Sequence, residues 1–175
     1  MNPHLIIKAT LITLLMPGTV TLLIPHFILR RSHIVDWPGI SALALLVILA
    51  GSAGFAVLLH CIWGFAVHGK GTLAPIDPPK MLVVQGFYRY TRNPMYLSII
   101  VVLLSEALLF ESVSMLYYVA LVLACFHLFV ILYEEPHLRS RFGESYEEYS
   151  RTIPRWRITV RGFVSKEGPG GQLPR

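Results

Sequence analysis

The feature that most constrains this chain is the run from residue 94 to residue 133, where Glu106 and Glu111 are the only acidic or basic side chains apart from His127. Two further apolar stretches run from Leu5 to Leu29 and from Gly39 to Val67. A helix rises about 1.5 Å per residue, so roughly 20 apolar residues cross the ~30 Å hydrocarbon core of a bilayer. Composition agrees: 54% of the 175 residues are hydrophobic, 14% are charged, and the mean hydropathy is +0.60. Soluble domains carry about 25% charged residues. These values exclude a disordered chain, a secreted disulfide scaffold and a coiled coil. Cys61 and Cys125 each sit inside an apolar stretch and read as buried, reduced thiols.

The run from 94 to 133 is long enough for two spans, and its natural break is Phe110-Glu111-Ser112-Val113-Ser114, where a charge and two hydroxyls can meet the interface. A tight hairpin of about 94–110 and 113–133 is expected, giving four spans. The first stretch has Lys8 inside it and no cleavage site after a short apolar core, so it reads as a retained span. Pro17-Gly18 within it predicts a kink or a broken helix. The expected fold is an all-α integral-membrane protein: about four transmembrane helices, a C-terminal helical hairpin and an interfacial amphipathic helix. That last helix is read over residues 134–149, with Leu138, Phe142, Tyr146 and Tyr149 at helical spacing. The expected organisation is two spans in residues 1–67, a functional unit in 68–160, and a disordered, Gly- and Pro-rich tail in 161–175.

The formal net charge is +5 and the pI about 9.4, yet nucleic acid is not the expected partner, because the basic residues follow the membrane. Four spans place the N-terminus, the 67–93 connection and the C-terminal segment on one side, with Lys8, Lys70, Lys80, Arg89, Arg92 and every basic residue from Arg139 onward. Arg30 and Arg31 alone fall opposite. The positive-inside rule makes the first side cytoplasmic, and function is sought there.

Three features on that face can carry chemistry. The segment from Lys80 to Tyr96 is dense in Tyr, Arg and turn residues, and Asn93-Pro94 reads as a helix start, Asn as N-cap and Pro at the first position. The free N–H groups of such a turn can bind an anionic group. Equally, Tyr88, Tyr90 and Tyr96 with Arg89 and Arg92 would serve as an aromatic belt at the headgroups. Glu134-Glu135 ends the last span, where a carboxylate needs a partner: a bound cation, or Arg139 and Arg141, unless the helix end is simply solvated. His127 lies seven residues before Glu134 and is expected on the same helix face, as a site residue or a packing one. No phosphate loop, dinucleotide fingerprint or metal-binding spacing is present, so no metal is expected; His60 and His68 are eight residues apart. Glu106, near the far end of its span, reads as structural.

The string from Met81 through Gln85-Gly86-Phe87-Tyr88-Arg89-Tyr90-Thr91-Arg92-Asn93-Pro94-Met95-Tyr96, followed by Glu134-Glu135, Leu138, Phe142-Gly143, Tyr146, Tyr149 and Ile153-Pro154, resembles the isoprenylcysteine carboxyl methyltransferase family and its phospholipid-methyltransferase relatives. The resemblance covers roughly residues 72–156. It implies a membrane methyltransferase using S-adenosylmethionine, with a lipophilic, small-molecule or lipidated acceptor drawn from the bilayer. It places cofactor contacts on Lys80, Met81, Leu82, Val83, Tyr88, Asn93, Pro94, Met95, Tyr96 and Glu134, and a catalytic role on Glu134 and Glu135. Arg92-Asn93-Pro94 stands where the family commonly has Arg-His-Pro, and Val130 stands where the isoprenylcysteine enzymes carry a substrate arginine, which argues against that acceptor. The short chain is most similar to prokaryotic members, implying the inner membrane. A NAD(P)H-dependent reductase of the sterol-reductase type and a non-enzymatic membrane subunit are the competing readings.

Overall fold

Two prolines, Pro25 and Pro136, set the shape of the helices that carry them. A computed structural model describes residues 15–32, 39, 41–68, 82–160, 162–163 and 172–173. Helix α1 covers residues 15–31, and its middle, Thr19–Leu23, is a π-helical turn that hands over to the α-helical Ile24–Arg31. Pro25 stands two residues after the end of that turn. A proline has no N–H to give and its ring presses on the carbonyl four residues back, which a widened turn relieves. Of the kink or break expected at Pro17, no break occurs among the described residues: the helix is continuous from residue 15, its irregular turn lies between Pro17-Gly18 and Pro25, and the Thr21 hydroxyl donates to the Pro17 carbonyl at 2.8 Å. The earlier part of the expected first span, including Lys8, lies outside the described residues.

Helix α2 is Ala42–His68, and its Ala42–Gly64 portion has a mean hydropathy of 2.5. Helix α3 is Pro94–Leu109, and α4 is Val113–Phe129. Helix α4 runs through a π-helical turn, Val130–Glu134, into α5, Glu135–Phe142, and this continuous Val113–Phe142 rod has a mean hydropathy of 2.4. By length and composition, the α2 portion and this rod are the two described helices able to cross a membrane; α3 is apolar but shorter. The hairpin expected between 110 and 113 is present. Glu111 takes a positive φ of 47° at the turn, and the Ser112 hydroxyl caps α4 by accepting from the Met115 N–H at 3.3 Å.

Helices α2 and α3 approach closely because small residues line their seam. A Cβ on Gly54 would lie 2.9 Å from Val101 Cγ1, and one on Gly51 would lie 3.0 Å from Ser105 Cβ. Leu58 of α2, Leu103 of α3, and Met115 and Val119 of α4 bury the bundle core. Tyr118 of α4 donates to the Val20 carbonyl at 3.0 Å, which attaches α1 to the hairpin. The outer faces keep large apolar side chains exposed, among them Leu46, Leu49, Leu121 and Leu132.

The amphipathic helix expected over 134–149 is two helices, α5 and α6, the latter Glu144–Thr152. Gly143 separates them at φ 52° and ψ −126°, a conformation that ends a helix and that glycine adopts without Cβ strain. Phe142, Tyr146 and Tyr149 nevertheless converge, burying themselves against Leu82, Ile153 and Phe163 in a second core, so their apolar face is covered by the chain's own loops. Leu82–Val83 (β1) pairs antiparallel with Gln172–Leu173 (β2), a segment read from sequence as disordered tail. Residues 164–171 and 174–175 lie outside the described residues.

A row of backbone hydrogen bonds ties the loop before α3 to the segment after α6: Arg92 N to Pro154 O at 3.1 Å, Thr159 N to Tyr90 O at 2.9 Å, and Phe163 N to Arg89 O at 2.8 Å. The chain around Asn93 is thus positioned by residues sixty further on.

Candidate functional site

The start of α3 and the end of α4 meet where the apolar bundle gives way to the polar core of α5 and α6. Pro94 occupies the first turn of α3, as the sequence predicts. Asn93 precedes it but makes no side-chain cap: its amide nitrogen instead donates to the Arg155 carbonyl at 3.1 Å. That corrects the expected capping role: the Asn93 side chain is engaged with the segment after α6 rather than with the first turn of α3. One turn into α3, Tyr96 donates its phenol to Glu134 Oε2 at 3.1 Å, with its ring 4.6 Å from that of Phe126.

Adjacent residues on a helix diverge by about 100°, and the acidic pair divides accordingly. Glu134 faces Tyr96, whereas Glu135 is buried beneath two guanidinium groups. Arg155 makes a bidentate contact with it, Nε to Oε1 at 2.6 Å and Nη2 to Oε2 at 2.9 Å, while Arg92 Nη1 stands 3.1 Å from Oε1. The partners expected from sequence are elsewhere: Arg139 pairs with Glu147 at 3.2 Å, and the Arg141 guanidinium lies over the Phe142 ring. Glu135 is compensated from across the fold, because α5 turns its first residue inward and the later arginines outward.

Arg92 also donates to the Tyr146 hydroxyl at 3.2 Å, yet its Nε is buried with no hydrogen-bond partner. Arg92, Asn93, Val130, Glu134, Glu135, Leu138, Tyr146 and Tyr149 line one cleft. Behind it, Tyr149 donates to the Tyr88 carbonyl at 2.6 Å. Burial pushes the phenols of Tyr88, Tyr149 and Tyr146 above their ordinary value, so all three remain protonated donors at neutral pH. The hydrogen bonds to Glu135 raise Arg155 in turn, keeping it charged.

Of the residues read from sequence as cofactor contacts, Asn93 and Glu134 line the cleft, Tyr96 touches it through Glu134, and Tyr88 supports it through Tyr149. Leu82 lies in the second core, Val83 belongs to β1, and Met95 packs against the bundle core. Lys80 and Met81, like Lys70, lie outside the described residues. His127 does not share a face with Glu134 in the way a regular helix would give: the intervening π-helical turn adds a residue to the count, and His127 Nδ1 accepts from the Trp156 indole at 3.0 Å. His60 packs edge-on against Phe87. Among the described residues, no cluster of His, Cys, Asp and Glu suits a metal ion.

Arg92 and Arg155 are the functional candidates that sequence reading missed. Arg92 stood in the string as an interfacial anchor, and the one available signal was that a buried Glu135 would require more compensation than exposed neighbours provide. The phospholipid methyltransferase family model matches residues 42–145. No curated protein and no solved structure matches the chain. The matched region spans α2, the α3–α4 hairpin and the acidic pair, more than half of the 175 residues, and on that match the chain belongs to the phospholipid methyltransferase family.

Proposed function

We propose that this chain is an integral-membrane methyltransferase that uses S-adenosylmethionine to methylate a lipophilic acceptor reached from the bilayer. The observation that carries this reading is the Tyr96–Glu134 hydrogen bond at the apolar–polar junction, set beside a buried Arg92 Nε that lacks a partner. Together they offer one acceptor and one donor to a ligand bearing both a cationic and an anionic group. An aminocarboxylate with a sulfonium is such a ligand, so the residues fit the cofactor's chemistry.

In this reading Arg92 Nε and the first turn of α3 hold the carboxylate. Glu134 accepts from the amino group or a ribose hydroxyl, and Tyr96 fixes which way the Glu134 carboxylate points. Tyr88 and the segment from Lys80 to Val83 complete the cofactor contacts, as the resemblance implies. When bound, the cofactor supplies an electrophilic methyl group for in-line transfer, a reaction that needs alignment and exclusion of water. Glu134 is the group placed to take a proton from an amine or thiol acceptor; a carboxylate acceptor needs none. Glu135, engaged by Arg92 and Arg155, acts as a positioning residue.

Four spans, α1 to α4, with the cleft on the cytoplasmic face of a prokaryotic inner membrane, agree with the distribution of basic residues. Residues 68–160 form the methyltransferase unit. The test is calorimetric titration of the nanodisc-reconstituted protein with S-adenosylmethionine and, separately, NADPH, beside folded Tyr96→Phe and Glu134→Gln variants. Saturable S-adenosylmethionine binding that both substitutions weaken is expected. Binding of NADPH alone, or of neither ligand, overturns the proposal.

A further inference from the structure

The segment after α6 displays a row of side chains that the catalytic reading does not use. Residues 155–160 are pinned from within: Arg155 holds Glu135, Thr159 N donates to Tyr90 O, and Phe163 closes the segment in the second core. The same segment carries three apolar side chains, with Trp156 half-buried and Ile158 and Val160 exposed. Ile158 is 75% exposed and Val160 is 97% exposed, on a backbone tied to the body of the protein.

The indole of Trp156 fixes where that row sits. It donates to His127 on α4, seven residues before Glu134, and so lies about 10 Å along the helix toward the apolar bundle at 1.5 Å per residue. Leu128 of α4 and Leu132 of the π-helical turn that follows are exposed and apolar. The row of Trp156, Ile158 and Val160 therefore begins beside an apolar wall.

Two basic side chains flank it. Arg151 at the end of α6 and Arg157 within the segment are exposed, and neither makes an ion pair among the described residues. Of the acidic residues of α6, Glu144 and Glu147 lie in its first turn, Glu147 is paired with Arg139, and Glu148 stands one turn before Arg151. Apolar side chains flanked by unpaired arginines match the boundary between acyl chains and phosphate headgroups. The whole segment lies beyond residues 42–145, the part matched by the family model.

We propose that residues 155–160 form a strap that docks on an anionic phospholipid leaflet, with Trp156, Ile158 and Val160 entering the headgroup–acyl boundary and Arg151 and Arg157 contacting lipid phosphates. The proposal rests on the membrane-spanning part of the functional reading, and extends it. Because Arg155 is both the first residue of the strap and the bidentate partner of Glu135, lipid contact bears directly on the cleft.

The test uses the full chain in nanodiscs with Trp37→Phe and Trp63→Phe, leaving Trp156 as the sole tryptophan, excited at the red edge of indole absorption where tyrosine does not contribute. Phosphatidylcholine brominated near the top of the acyl chains is expected to quench Trp156 by roughly half, and Ile158→Ser with Val160→Ser to remove most of that quenching. Adding phosphatidylglycerol is expected to deepen the quenching, and Arg151→Gln with Arg157→Gln to abolish this increment alone. A second background, retaining only the exposed Trp63 of α2, reports whether α2 lies in lipid. Quenching of Trp63 without Trp156 overturns the strap and leaves the spanning reading standing; quenching of neither overturns both. Quenching of Trp156 that ignores phosphatidylglycerol overturns the anionic partner.

Discussion

Tyr96 and Glu134, 38 residues apart in sequence, are joined by a 3.1 Å hydrogen bond that closes the open end of the α3–α4 hairpin. The phenol is the donor, so Glu134 is oriented by a neighbour that can be removed without changing charge. A hydrogen bond to a charged group contributes about 1.5–3 kcal/mol. Tyr96→Phe is therefore expected to weaken S-adenosylmethionine binding by roughly tenfold or more while leaving the hairpin folded, as read by titration calorimetry beside thermal unfolding.

The Glu135 cluster predicts an asymmetry between two arginine substitutions. Breaking a buried ion pair by removing one partner costs about 3–5 kcal/mol. Arg155 is 30% exposed at its side chain and Arg92 remains beside Glu135, so Arg155→Met is expected near the lower end of that range. Arg139→Ala breaks a pair whose side chains are 54% and 43% exposed and is expected to change stability by less than about 1 kcal/mol. Thermal unfolding in one detergent compares the two directly.

The α2–α3 seam predicts a positional contrast within one helix. Gly54→Leu must displace Val101 and the Ser98 carbonyl, whereas a Cβ at Gly64 meets nothing within 4 Å. Overpacking of this kind costs about 1–3 kcal/mol. Gly54→Leu is expected to lower the unfolding temperature and Gly64→Leu to leave it nearly unchanged.

Buried tyrosines predict an alkaline limit. Burial raises the folded-state value of Tyr149 above its ordinary 10.0, so the stability it contributes is complete below pH 10 and is lost as pH rises toward the folded-state value. Phenolate absorbance and helical circular dichroism followed above pH 10 are expected to change together. Tyr149→Phe should shift that transition, because the hydrogen bond to the Tyr88 carbonyl goes with the ionisable group.

The hairpin was legible in the sequence because its signals are local. A charge and two hydroxyls interrupt a forty-residue apolar run, and Ser112 then caps the helix that follows. Asn93, Pro94, Tyr96 and the acidic pair were found in the same way, as a dense polar string at the ends of apolar segments, and the structure brings most of them to one junction. The partner of Glu135 was not legible, since Arg155 lies beyond the Gly143 break and reaches back through tertiary packing. Nor was the shared face of His127 and Glu134 a sound expectation, because face-counting assumes 3.6 residues per turn and the turn at 130–134 does not keep that pitch. The close α2–α3 approach at Gly51 and Gly54 was hidden in an apolar run where small residues add little to any hydropathy signal.

The π-helical turn ahead of Pro136 also lets one rod serve two masters. Upstream of residue 130, side chains are phased to fill the core among α2, α3 and α4; downstream, they are phased to present Glu135, Leu138 and Phe142 to the polar cap. A perfectly regular helix would tie those two azimuths rigidly together. The extra residue works as a spline between them, so each end can be indexed to its own neighbours, and deleting a single residue from 130–134 would rotate the cap against the bundle without removing any side chain of the cap itself.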